Sequence, residues 1–328
     1  MKRATITLAL PILFLAACGG GGSEDGGIAN PPPRTGLPIT ATNGFQVTQV
    51  TYQAAAASGE IAGLAGNTGL TGAGGGGLSK PGMARQPGGA IGALLQKVPI
   101  PPTTLPCAIT GTVTVSGNLA DPATVTAGDT LKIEYDNCDD GVGEVLDGTL
   151  DTLIDAITGD VLSGAYDMTM SMNLISFQST TATDVYMANG DATANIDTLT
   201  PSYVAASVSG NSILTDTNNR TETLTNYASA QTVDVSMSPS PYTLTASGTL
   251  DSSQLDGSVT YSTPVMLEGE DANYPDVGQM LIVGEGSSAR LIAQANGIDV
   301  VIEIYSNTTG TGTPDDTIMT TWAQLAGM

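Results

Sequence analysis

An all-β fold is what this 328-residue sequence predicts: a single antiparallel β domain, barrel-like or sandwich, of about a dozen strands behind a Gly/Pro-rich N-terminal stretch. Three observations predict it. From Cys107 onward apolar and polar residues alternate at period two, the mark of half-buried strands. Leu131, Ile133 and Tyr135 alternate with Lys132, Glu134 and Asp136, and the pattern returns at Val233/Val235/Met237, Tyr242/Leu244/Ala246 and Ile298/Val300/Ile302/Ile304. Turn signals separate these runs: "TNNR" (217–220), "SPSP" (238–241) and "NTTGTG" (307–312). No stretch after Cys107 carries a 3.6-residue apolar stripe of helical length. Thr and Ser fill the outward positions, which suits an antiparallel sheet with one wet face.

Taken in order, the chain opens with Met1-Lys2-Arg3 and an apolar run, "ATITLALPILF" (4–14), too short to span a bilayer and interrupted by Pro11. That is the layout of a secretory signal, and it ends in Leu15-Ala16-Ala17-Cys18. These four residues resemble a lipobox, the cleavage and acylation signature of bacterial lipoproteins. The resemblance implies that residues 1–17 are a signal peptide and that Cys18 becomes the lipid attachment, palmitate among its acyl chains. Gly19 follows Cys18 rather than Asp. By resemblance to the sorting pattern of Gram-negative lipoproteins, that implies an outer-membrane anchor with the body facing the periplasm or the cell surface. Several acyl chains on one cysteine hold far more firmly than one, at about 0.8 kcal/mol per buried CH₂.

Residues 18–106 read as a tether. Gly19 to Pro106 holds 21 of the 41 glycines and ten of the 18 prolines, in runs such as "GGGGSEDGG" (19–27), "NPPP" (30–33) and "PIPP" (99–102). Two islands break it: "FQVTQVTY" (45–52), with a strand's alternation, runs into an Ala-rich stretch, and "AIGALLQKV" (90–98) reads as a short helix. Residues 107–328, some 220 in all, form the acidic all-β domain, a plausible single-domain size. "VLDGTLDTL" (145–153), "VLSGAYDMT" (161–169) and "QLDGSVTYS" (254–262) echo one another at irregular spacing, which suggests a recurring hairpin device.

Charge narrows the function classes. Loss of Lys2 and Arg3 with the signal leaves seven basic residues against 32 acidic ones, a net of −25. From Cys107 onward only Lys132, Arg220 and Arg290 face 29 carboxylates. Such a body repels nucleic acid and anionic headgroups, so no nucleic-acid partner is expected.

"YPDVGQMLIVGEGSSARLIAQANG" (274–297) through "TTWAQL" (320–325) resembles the C-terminal region of uncharacterised β-rich Gram-negative envelope lipoproteins. There a Tyr-Pro-x-x-Gly strand, a Gly-x-x-Ser-x-x-Arg-Leu strand and a closing Thr-Trp recur. The likeness covers about fifty residues plus Asn137-Cys138, and it implies no established activity. Similar sequences often place an Asp/Gly-rich, calcium-like loop before the Thr-Trp. Here that place holds "SNTTGTGTPDD" (306–316), with Asp only at its end.

The chain has no histidine. That removes Ser-His-Asp and Cys-His nucleophilic systems, His-ligated zinc and imidazole general bases together. A Gly-x-Ser-x-Gly elbow and a Walker loop are also missing. Paired carboxylates of the glycosidase kind stay open, but aromatics are 4% of the chain and Trp322 is the sole tryptophan, leaving little to stack a sugar ring. The expectation is a protein without enzymatic activity and with no catalytic residues.

Four local patterns invite a sharper reading. "LIVGEGSSA" (281–289) mimics a dinucleotide fingerprint but leads into another strand rather than the helix that motif requires, so a hairpin is expected. Met168, Met170 and Met172 share one strand face; core packing is favoured over soft-metal ligation, and an apolar ligand face is the alternative. Asp136, Asp140 and Asp147 trace part of a calcium loop, with Cys138 where a third-position ligand belongs, so an acidic β-turn is favoured over bound Ca²⁺ and no other cofactor is implied. Once Cys18 is acylated, Cys107 and Cys138 are an even pair in an oxidising compartment. One disulfide closing a loop of about 32 residues follows, contributing roughly 3 to 4 kcal/mol.

The expectation drawn from all this is an outer-membrane lipoprotein, held to the membrane by its N-terminal lipid, acting as a non-enzymatic binding or structural module for an unknown envelope partner. The alternative is a carrier of a lipid or other hydrophobic ligand in an open barrel lined by Met168–Met172. A carboxylate-based envelope hydrolase ranks third.

Overall fold

The computed structural model describes residues 36–66, 99–121, 124–139, 141, 143–181, 185–200, 202–217, 220–271 and 273–327. The signal segment, Cys18, the 90–98 island and Asp140 lie outside the described residues. Fourteen strands make one antiparallel sheet: β1 Ile100–Pro106, β2 Thr110–Asn118, β3 Thr130–Asp139, β4 Glu144–Asp160, β5 Ala165–Thr181, β6 Val185–Asp197, β7 Tyr203–Thr217, β8 Arg220–Asp234, β9 Pro241–Ser252, β10 Ser258–Glu270, β11 Val277–Val283, β12 Ser288–Ala293, β13 Asp299–Tyr305 and β14 Asp316–Thr321. Two α-helices, α1 Gly44–Gly66 and α2 Trp322–Ala326, accompany it. Each strand pairs with the next in sequence, and among the described residues β1 and β14 do not pair, so the sheet is an open meander.

Period-two patterning produces these strands directly. In β5 Tyr166, Met168, Met170, Met172 and Leu174 are buried while Asp167, Thr169, Ser171 and Asn173 face outward. Buried side chains from every strand except β14 join one core, with Ile318 of β14 packed against it. The sheet must curl to make that core. Helix α1 touches β6, β7, β8 and β9 and also β12 and β13. In a flat sheet, with strands about 4.8 Å apart, β7 and β13 would lie about 29 Å from each other. A helix is only about 10–12 Å across, so the sheet wraps it.

Curvature is built by bulges. Register slips occur at Tyr135/Cys138, Asp147/Thr149, Leu174/Phe177, Gly190/Thr193 and Thr225/Ala228, in the pairings of β3 through β9. Asn137, Ser176 and Asn226 have positive φ at three of them. Gly148 shows why one neighbour must be glycine: at φ 96° a Cβ there would lie 2.2 Å from the Ser176 carbonyl oxygen. The three echoing segments are therefore not one device. Gly148 sits at a bulge within β4, whereas Gly164 lies in the β4–β5 turn and Gly257 between β9 and β10.

Phe45–Tyr52, whose alternation suggests a strand, is helical instead. Val47, Thr48, Val50, Thr51 and Tyr52 are all buried, and so are Ala54, Ala55 and Ser58. At about 100° per residue these positions cover an arc of about 200°, wider than the apolar stripe of an ordinary surface helix, and leave Gln46, Gln49 and Gln53 on the remaining side. Thr48 and Ser58 donate their hydroxyls back to Gly44 O and Ala55 O, which lets them sit inside. Gln46, Gln49 and Gln53, at i, i+3 and i+7, donate to the carbonyls of Gln254, Gln324 and Leu325. The Ala-rich continuation favours helix by propensity. The sheet also begins at Ile100, so α1 and β1 of the fold both come from the Gly/Pro-rich stretch.

The closing Thr-Trp is a cap and an anchor. Thr321 and Gln324 form a reciprocal capping box, and Gly327 ends α2 in the left-handed conformation. Trp322 is fully buried, donates Nε1–H to Pro275 O at 2.9 Å, stacks on Tyr274 and tilts against Tyr52 of α1. The Tyr-Pro and Thr-Trp motifs thus meet each other and the helix.

Candidate functional site

Cys107 and Cys138 form a disulfide with Cα atoms 5.5 Å apart. It links the β1–β2 turn to the end of β3, where Ile109 N–H also donates to Asp139 O. Asp136 and Asp147 are both engaged by Asn137: Asp136 Oδ1 accepts from its side-chain amide and Asp147 Oδ2 from its backbone N–H. Among the described residues no group of three or more His, Cys, Asp or Glu is arranged to hold a metal ion. The 306–316 loop bonds to itself, Asn307 accepting from Thr309 and Asp315 from the Ser306 N–H. Met168 and Met170 have no accessible surface and Met172 has 3%. A side chain facing a void wide enough for a lipid tail would show surface there, so this face is packed.

"LIVGEGSSA" is the β11–β12 hairpin, its turn at Gly284–Ser287. There the segment before α1 docks. Leu37 O accepts from Glu285 N–H, Leu37 N–H donates to Ser258 O, and Ser287 Oγ accepts from Ile39 N–H. A Cβ on Gly284 would lie 2.0 Å from Leu37 O, so the glycine serves close chain approach rather than a cofactor. Arg290, the motif arginine, pairs with Glu303 at 2.6 Å and lies over the Tyr305 ring. Gly284, Ser287, Arg290 and Trp322 of the recurring pattern are therefore each engaged in close packing or hydrogen bonding within the fold.

A concavity lies elsewhere, on the outer face of β2–β7, with a volume of about 680 Å³. That is within the roughly 300–1,000 Å³ of small-molecule sites. Register assembles it. Ser116, Lys132, Asp151, Asn173 and Asp191 stand directly opposite one another in a row across five strands. A second row, Thr130, Leu153, Ser171 and Thr193, runs beside it. Asn211 of β7 extends the rim. Adjacent members of a row are about 5 Å apart, so Asp151 and Asp191 flank Asn173 at about 10 Å from each other.

The rim is fixed from inside. Tyr227, 1% exposed on β8, reaches through the space left by Gly210 and donates to Asp191 O at 3.1 Å. A Cβ on Gly210 would lie 2.5 Å from that hydroxyl. Burial, with the Asp191 charge adding to it, pushes the Tyr227 hydroxyl up to about 12, so it stays a donor at neutral pH. Lys132 pairs with Glu134 at 2.6 Å, and the hydrogen bond to that carboxylate raises the ammonium above its usual range. Ser171 donates to Asp155 Oδ2. Asp151 differs: its Oδ1 is buried and accepts no hydrogen bond from the described residues. The sequence pattern marks these residues only as outward-facing; nothing in it says which outward positions meet.

No family model, curated protein or solved structure matches the chain.

Proposed function

We propose that this protein is a lipid-anchored envelope lipoprotein whose β domain binds a ligand through the outer face of β2–β7. The anchor reading is supported by Leu15-Ala16-Ala17-Cys18 behind a short apolar run. The binding reading is carried by the groove of about 680 Å³ with Asp151, Asn173 and Asp191 in one row. Its polar groups converge on one concavity, while the methionine face that a hydrophobic carrier needs is packed. No histidine is present to serve as base or nucleophile activator, so recognition rather than turnover fits the residues at hand.

The anchor is tested by growing cells with an alkyne-tagged palmitate. Wild-type chain takes up label and sediments with the outer membrane, and Cys18→Ser does neither. A Cys18→Ser chain that still carries label, or that stays in the membrane fraction with unchanged mobility, overturns the reading.

A further inference from the structure

The groove that carries the proposed function has a chemistry of its own, and the inference here rests on that reading and deepens it: we infer that the β2–β7 groove binds an uncharged, polyhydroxylated ligand, a neutral glycan. Several observations lead there. Asp151, Asn173 and Asp191 present three planar polar groups side by side, each able to engage adjacent hydroxyls at once, carboxylates as acceptors and the carboxamide as both donor and acceptor. Ser116 adds a hydroxyl at the β2 end of that row, and Ser171 and Thr193 add two in the row beside it. Leu153, 39% exposed between Thr130 and Ser171, gives one apolar contact for the C–H face of a ring in a groove whose described lining has no aromatic residue.

Asp151 supplies the strongest argument. Because its Oδ1 is closed off and unpaired, the carboxylate gains by turning toward the groove, where a ligand hydroxyl can reach it. Charge then selects the donor. The chain from Cys18 onward carries −25, and Lys132, the one cation among the groove's described residues, is engaged by Glu134. An anionic ligand meets Asp151 and Asp191 with only Lys132 to offset them, and that ammonium already stands between Glu134 and Asp151. A hydroxyl donor satisfies Asp151 without needing a counter-charge.

The test uses the full chain against neutral oligosaccharides of glucose, galactose and N-acetylglucosamine, about three to six units long, immobilised as an array and then titrated in solution at roughly 50 and 500 mM NaCl, a range over which exposed charge–charge attraction is strongly screened. The polyamine spermidine is titrated beside them. At least one glycan binds saturably with an affinity that changes less than about twofold between the two salt concentrations. Asp151→Asn and Asn173→Ala each weaken it about tenfold or more, while Asp160→Asn, on the far end of β4, leaves it unchanged. Circular dichroism and the thermal midpoint confirm that each variant is folded, and chemical-shift changes on titration must fall on the β2–β7 residues. Absence of glycan binding at millimolar concentration, or binding indifferent to Asp151→Asn and Asn173→Ala, overturns the inference. Salt-sensitive spermidine binding lost in Asp151→Asn also overturns it, and leaves the groove standing as a binding site. The palmitate label on Cys18 is read separately, so failure here and failure of the anchor are told apart.

Discussion

Burial pushes the Glu222 carboxyl well above its ordinary range, up to about 7, with the positive charge of Arg220 opposing part of the shift. It is 8% exposed on the inward face of β8. Beside it Arg220 donates to Gln53 of α1, and the Tyr261 hydroxyl of β10 faces Ser58 of α1. A carboxyl whose folded pKa is raised binds its proton more tightly folded than unfolded. Its folded state is therefore most stable below the unfolded value of 4.5, loses stability as pH rises from 4.5 to about 7, and stays at the lower level above that. The difference is on the order of 3 kcal/mol. Urea midpoints at about pH 5 and pH 8 should differ in that direction, and Glu222→Gln should flatten the difference by stabilising the protein at the higher pH. A variant that falls as steeply as wild type with pH would remove Glu222 as the cause. Trp322 reports these transitions, since it is the sole tryptophan and fully buried. Trp322→Ala loses its stacking on Tyr274 and its bond to Pro275, and should cost about 3–5 kcal/mol in the same denaturation, read by far-UV circular dichroism.

At the scale of elements, α1 decides whether the sheet has a core. Its residues Val47, Val50, Ala54 and Ala55 fill the space between β6–β9 and β12–β13, and three glutamines tie it to loop and helix-end carbonyls. A chain beginning at Ile100 should therefore lose cooperative unfolding, and Val47→Asp in the full chain should cost about 3–5 kcal/mol by burying an unpaired charge. Unchanged midpoints in both would make α1 a passenger. The strands were legible from sequence because period two holds along the runs between bulges, as from Tyr166 to Leu174 in β5. The helix was not, because Val47, Thr48, Val50, Thr51 and Tyr52 alternate well enough for a strand, and a buried arc of about 200° narrows the polar stripe to Gln46, Gln49 and Gln53. The groove was illegible for a different reason. Lys132, Asp151, Asn173 and Asp191 lie on four separate strands, and their meeting depends on bulges at Gly148, Ser176 and Gly190 that set the register; a one-residue slip would turn each row inward. Only the disulfide could be reached by counting, once Cys18 was assigned to lipid.

For the whole molecule, an open meander has two edges, and hydrogen-bond closure protects neither. Edge strands template unwanted pairing unless something blunts or holds them. β1 carries Pro101, Pro102 and Pro106, which offer no N–H donors, and the disulfide fastens its end to β3 two strands away. β14 is held differently: the chain leaves it through Thr321 directly into Trp322, which is locked between Tyr52 and Tyr274. One edge is thus stapled covalently and the other by an aromatic anchor, with α1 between the two halves of the curl. The staple's contribution is local in structure and global in energy. Reduction frees a loop of 31 residues' separation and should lower stability by about 3–4 kcal/mol. Hydrogen exchange read by mass spectrometry on oxidised and Cys107→Ser/Cys138→Ser chains should show faster exchange in β1 and β2, with β7–β9 changing least, since those strands pack on α1. Equal acceleration across the sheet would mean that the β1 edge is held by the common core, and that the disulfide acts on the unfolded chain alone.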